Sequence, residues 1–133
     1  MSSVRQLQVY KDNQISTADP GKILLMLYDG AIDSLKRAIG YVAVGNVAEK
    51  GKCILRAHDI ITQFIVSLDY DAGGELAYNL EGLYRHMLDA ILLANTDNDS
   101  LLLERVISLL ATLKDGWEAA VVAQRKKVAL GGS

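Results

Sequence analysis

Apolar residues recur every three or four positions along most of the chain, and short runs rich in Gly, Asn and Asp divide that pattern into four stretches. The first opens at Asp19-Pro20, where a carboxylate able to cap a helix precedes a proline whose fixed φ suits the first helical position. Leu24, Leu27, Ala31, Leu35, Ala38 and Val42 follow on one side, and Gly45-Asn46 supplies a stop. The second stretch runs from about Val47 to Leu68 through Ile54, Ala57, Ile61, Phe64 and Ile65. The third runs from about Gly74 to Asn95 through Leu76, Leu80, Leu83, Met87, Ala90 and Ala94. Asp97-Asn98-Asp99-Ser100 offers capping side chains for the fourth, which continues to about Lys126 along Leu102, Val106, Leu109, Leu113, Trp117 and Ala120. No strand-like alternation intervenes. The pattern predicts an all-α fold, an antiparallel up-down-up-down four-helix bundle over residues 17–130, with residues 69–74 as a tight loop. Residues 1–16 form a short N-terminal arm with a weak helical pattern, and Gly131-Gly132-Ser133 reads as a linker-like end.

A bundle helix needs an apolar stripe of little more than about 100°, and these helices carry more. Cys53, Ile60 and Val66 lie beside the seam of the second helix, and Leu88, Ile91, Leu92 and Leu93 beside that of the third. Leu103, Ile107 and Leu110 do the same on the fourth. Part of this surplus is expected at the surface, where a large apolar patch marks a partner site and a long interhelical groove accepts amphipathic helices. A thick core with the N-terminal arm docked on it is the alternative way to absorb the surplus.

Charge and cysteine content narrow the partners. Fourteen basic against sixteen acidic residues leave a net charge of -2, which supplies no long-range positive field for a phosphate backbone and excludes nucleic acid. No uncharged stretch approaches the ~20 residues of a membrane-spanning helix, so no membrane insertion is expected. The single Cys53 cannot close an internal disulfide, and the N-terminus lacks the basic start and apolar run of a secretory signal. Together these point to the cytoplasm.

Candidate chemistry is sparse. Metal sites in bundles use Glu-x-x-His pairs on facing helices, and neither His58 nor His86 has a glutamate three positions before it. Gly73-Gly74 follows no strand and precedes no Gly-Lys-Ser/Thr, so it is no phosphate loop. No catalytic residue, metal ligand or cofactor site is assigned. The one rival functional reading is a histidine phosphotransfer domain using His58, since such domains are four-helix bundles of this size. Asp59 beside His58 argues against it, because a carboxylate repels a phosphoryl group.

Several of these elements coincide with a known pattern: Tyr10, Ile15-Ser16-Thr17-Ala18-Asp19-Pro20, Leu24, and Met26-Leu27-Tyr28-Asp29-Gly30-Ala31. Leu68-Asp69, Gly73-Gly74-Glu75-Leu76-Ala77, Asn79-Leu80, Leu83-Tyr84, Ala94-Asn95 and Trp117 continue it. The chain resembles the flagellar secretion chaperones called FliS. It departs from the family pattern at Ile15, more often valine, and at Asp19, more often serine. Ile15 stays β-branched and apolar, and Asp19 caps a helix as well as serine does. The resemblance implies a non-enzymatic chaperone whose client is the C-terminal region of flagellin, disordered when free and folding into helices on the bundle. It further implies hand-over to a component of the flagellar export gate and contact with other flagellar regulators. Combined with the surplus apolar faces, it nominates Leu24 and Tyr28, Ile54, Ile60 and Phe64, and Leu88 and Leu92 as client contacts. Val9, Tyr10 and Ile15 of the arm are expected to cover the groove until a client arrives.

Overall fold

The computed structural model describes residues 19–129; the arm and the linker-like end lie outside the described residues. Four long helices and one single-turn helix follow in order: α1 (Pro20–Ala43), α2 (Val47–Val66), α3 (Tyr70–Gly73), α4 (Glu75–Asp97) and α5 (Ser100–Ala129). Helices α1 and α4 each pack against both α2 and α5, so the long helices close a square around one core. The α1–α2 side is the most extensive and the α4–α5 side the sparest. No helix among the described residues is long and apolar enough to cross a membrane.

The ends of these helices follow from local chemistry. Asp19 caps α1, its carboxylate accepting the Gly21 N–H at 2.9 Å. That carboxylate also receives Arg125 from the far end of α5, an interaction that holds its pKa below the usual aspartate range. At the other end of α1 the Asn46 N–H bonds to Tyr41 O and the Gly45 N–H to Val42 O, with Gly45 at φ 71°. This is a Schellman stop in which glycine occupies the left-handed position.

The segment expected as a tight loop contains α3. Asp69 sits in extended backbone and accepts the Ala72 N–H at 3.0 Å, which caps a single helical turn. Gly74 then takes φ 52° and ψ −127°, a conformation reserved almost entirely for glycine, and starts α4 one residue later than expected. Tyr70 of α3 donates to Glu81 at 2.6 Å, and Arg85 holds the same carboxylate at 2.8 Å, so the turn is pinned to α4. Helix α4 ends at Asn98, which adopts φ 52° without being glycine. Its side chain explains why: Asn98 Oδ1 accepts Lys50 Nζ at 2.6 Å, and the same ammonium bonds Asn95 O at 2.8 Å. Lys50 is 4% exposed, and its charge is satisfied by the carbonyl-rich end of α4.

The core is built from Ala31, Leu35, Ala38, Ile54, Ala57, Ile61, Met87, Ala90, Ile91, Ala94, Leu103, Val106 and Leu110, together with Tyr28, Phe64 and Tyr84. Two seams are displaced from the sequence reading. On α5 the buried line runs through Leu103, Val106 and Leu110, while Leu102 and Leu109 are half-buried and Ala120 is exposed. On α4, Leu76 is exposed while Ala77, Tyr84 and Ile91 are buried. Each helix has two neighbours, and where apolar residues are abundant on both sides the sequence period does not set the centre of the stripe. The surplus apolar residues divide three ways: Ile91, Leu103 and Leu110 enter the core, Cys53, Ile60, Leu88 and Ile107 are half-buried, and Val66, Leu92 and Leu93 reach the surface.

Three substitutions test these assignments. Asn98→Gly relaxes the left-handed backbone by well under ~1 kcal/mol but removes a hydrogen bond to a buried ammonium, worth about 1.5–3 kcal/mol. The variant is expected to be less stable by about 1–2 kcal/mol in urea unfolding; equal or greater stability would contradict the role given to Lys50. Glycines on α1 and α4 should separate in sign. A Cβ on Gly21 would stand 2.5 Å from Val121 Cγ2, whereas Gly82 has open space around it and lies mid-helix. Gly21→Ala should lower stability by about 1–2 kcal/mol through overpacking, and Gly82→Ala should raise it by up to about 1 kcal/mol through helix propensity, both read as shifts in thermal midpoint.

Candidate partner-binding site

At the end of the bundle where α1 and α4 begin and α2 ends, each long helix places one aromatic ring at the same level. Tyr28 of α1 stacks on Phe64 of α2, with ring centroids 4.4 Å apart and planes at 18°. Tyr84 of α4 meets Phe64 at 5.4 Å and 40°. Trp117 of α5 donates its indole N–H to Tyr28 Oη at 3.0 Å, and Tyr28 Oη lies 2.5 Å from Tyr84 Oη. The only phenylalanine and the only tryptophan of the chain are both spent in this layer. Burial pushes the pKa of both phenols up, which keeps the hydroxyls protonated.

Above this layer opens an apolar pocket of about 430 Å³. Phe64, Tyr84 and Trp117 form its aromatic lining, Leu24 and Leu27 its α1 wall, and Leu68, Leu76 and Leu80 the side toward α3 and α4. Its polar fringe is Gln63, Ser67 and Asp69. A pocket of this size takes side chains of a partner, not a whole helix, and its apolar lining with few polar groups suits a binding site. A second, shallower groove of about 630 Å³ lies along the spare α4–α5 side, lined by His86 and Ala90 on α4 and by Leu101, Leu102, Arg105 and Leu109 on α5.

The structure sorts the contacts nominated from sequence. Leu24 and Phe64 are brought together at the pocket, Leu24 in the wall and Phe64, 5% exposed, in the lining. Tyr28 and Ile54 are corrected: both are 0% exposed and belong to the core, so neither offers a free surface. Their spacing matched the helical seam, and the seam at those positions faces inward. Ile60 is half-buried at the α1–α2 contact, its Cδ1 3.4 Å from where a Cβ on Gly30 would stand. Leu88 is half-buried, and Leu92 is 42% exposed on α4, away from the pocket. Val9, Tyr10 and Ile15 lie outside the described residues.

Sequence reasoning missed Tyr84, Leu68 and Leu76 as pocket residues and placed Trp117 only as a packing residue. The Leu-Tyr pair at 83–84 and the Leu-Asp pair at 68–69 were visible, but their convergence with Trp117 depends on how the ends of four helices align. His58, the rival catalytic candidate, is half-buried on α2 and takes no part in either concavity.

Comparisons with known proteins agree on one family. The family model described as "Flagellar protein FliS" matches residues 3–125. The chain is 38% identical over 119 residues to the flagellar secretion chaperone FliSB of Pseudomonas aeruginosa, covering 89% of this chain and 94% of that protein. It is 38% identical over 116 residues to the flagellar secretion chaperone FliS of Vibrio cholerae, covering 84% and 85% of the two chains. Against the FliS of Salmonella typhimurium the identity is 36% over 112 residues, covering 84% and 83%. With the family matched across nearly the whole chain and relatives this similar, the chain belongs to the FliS family of flagellar secretion chaperones, which are not enzymes.

Proposed function

We propose that the chain acts in the cytoplasm as an export chaperone for flagellin, holding the C-terminal segment of its client against the bundle and delivering it to a component of the flagellar export gate. The observation that carries this reading is the aromatic-lined pocket of about 430 Å³, bordered by exposed apolar side chains, in a member of a flagellar secretion chaperone family. Leu76, at the pocket, is 57% exposed, and Val66 at the end of α2 is 71% exposed. A disordered segment that folds on binding must offset its ordering cost with apolar burial of roughly 25 cal/mol per Å², and these surfaces supply it. With its own helices engaged here, the client cannot pair with further flagellin copies, and premature polymerisation is blocked. Contact with other flagellar regulators would use surfaces left uncovered.

In this reading Leu24, Phe64, Leu88 and Leu92 remain client contacts, and Ile60, half-buried where α1 meets α2, supports that packing. Val9, Tyr10 and Ile15 are proposed to cover part of the pocket in the free chaperone. The support is positional: the arm joins the bundle at Asp19, which is tied to the end of α5 and precedes Leu24 of the pocket wall by little more than a helical turn. A histidine phosphotransfer role for His58 draws no support from the family.

Titration with a peptide of the flagellin C-terminal region is the direct test. Leu76→Asp and Leu92→Asp are expected to weaken binding about tenfold or more with far-UV helicity retained, whereas Ile60→Asp should cost helicity as well. Unchanged affinity in both exposed-site variants would contradict the assigned surface. Removing residues 1–14 should raise the binding of a hydrophobic dye by the free protein and change its affinity for the peptide; if neither responds, the arm is not a cover.

A further inference from the structure

The hydroxyl pair behind the pocket carries a proton count that points to its occupant. An indole nitrogen only donates, and each phenol has one proton to give. Trp117 donates to Tyr28 Oη, and the two phenols share a single hydrogen bond. If Tyr28 donates to Tyr84, the proton of Tyr84 needs an acceptor; if Tyr84 donates, the proton of Tyr28 does. Three donors therefore share two contacts, and one hydroxyl proton has no acceptor among the described residues. Both rings are buried, at 0% exposure for Tyr28 and 2% for Tyr84, but Tyr84 lines the pocket and Tyr28 does not. The economical arrangement runs Trp117 to Tyr28 to Tyr84, with the spare proton on Tyr84 available to the pocket. A buried donor left without a partner is costly, so the site favours whatever brings an acceptor.

We propose that Tyr84 is a recognition residue of the client site: its hydroxyl donates to an amide carbonyl of the client segment, next to a bulky aliphatic side chain that fills the apolar part of the pocket. The fringe argues for a neutral acceptor. Asp69 is the charged residue among the pocket's lining, so a client carboxylate would meet a like charge there. This inference rests on the client-binding reading above and adds to it a polar requirement that apolar faces alone do not impose. A segment of matching hydrophobicity without a carbonyl at that point would bind less well, because its arrival would seal the hydroxyl in an apolar cavity.

Tyr84→Phe keeps the ring and removes only the oxygen, so it reads the hydrogen bond separately from the packing. Calorimetric titration of the full chain with the flagellin C-terminal peptide is expected to show the variant binding about five- to tenfold more weakly than the parent. Its urea midpoint without peptide should fall, because Tyr28, sealed in the core, loses the acceptor of its own proton. Peptides with each Asn and Gln changed to Leu then separate a side-chain carbonyl, whose loss would mimic Tyr84→Phe, from a main-chain carbonyl, which would leave every such peptide binding as before. Equal affinity of parent and variant overturns the proposal, as would be the case if water satisfied the hydroxyl in the complex. If the single variant loses far-UV helicity, the double variant Tyr28→Phe with Tyr84→Phe, which orphans no phenol proton, carries the test, and parent-like affinity in it overturns the proposal. If the parent itself does not bind the peptide, the client-binding reading fails and this inference falls with it.

Discussion

The ring layer of Tyr28, Phe64, Tyr84 and Trp117 governs the shape of this bundle, because helix spacing depends on the side chains at the contact. Away from it the core alternates alanines with aliphatic residues: Ala31, Ala38, Ala57, Ala90 and Ala94 lie among Leu35, Ile54, Ile91, Leu103 and Leu110. Small residues let helices approach and close over the core. Rings do the opposite, filling the centre while leaving the helix ends above them with more apolar wall than they can cover. The pocket is the consequence, and Leu24, Leu68 and Leu76 stand around it for the same reason.

A chaperone that holds a helical client, as proposed for this chain, has conflicting requirements. It must be stable alone, yet present apolar surface that a self-sufficient bundle would hide. Here the two demands are met at different places. The alanine-rich length of the bundle, the buried Lys50 on the end of α4, and the capped helix ends supply a self-contained fold. In the proposed reading the ring layer and the exposed apolar residues near it are left for a partner. The polar interactions at this end tie elements together outside the pocket lining: Asp19 to Arg125 joins α1 to α5, and Glu81, held by Arg85, binds Tyr70 of α3 to α4.

Much of the architecture is legible in the residues alone. The Asp19-Pro20 start, the Gly45-Asn46 stop and the polar run at 97–100 are local signals, fixed by backbone geometry and hydrogen-bonding chemistry within a few residues, and the helices begin and end close to them. The segment at 69–74 is less transparent, since the Asp69 cap and Gly74 conformation that define α3 look the same in sequence as an open loop. The candidate contacts fare unevenly. Leu24 and Phe64 do meet at the pocket, but Tyr28 and Ile54 are enclosed, because a period of 3.6 gives the spacing of a stripe and not which half of a wide stripe faces inward.

The sequence by itself determined the helices, their order, the absence of a dedicated catalytic or metal pattern, and the family motifs, all of which are local or compositional. Only the tertiary structure decided that four aromatic residues, separated by as many as 89 positions, would share one layer. It also decided that the surplus apolar surface would be divided between core and rim. Those outcomes depend on the rotation of each helix about its own axis, which is set by packing against two neighbours at once, and no single segment carries that information.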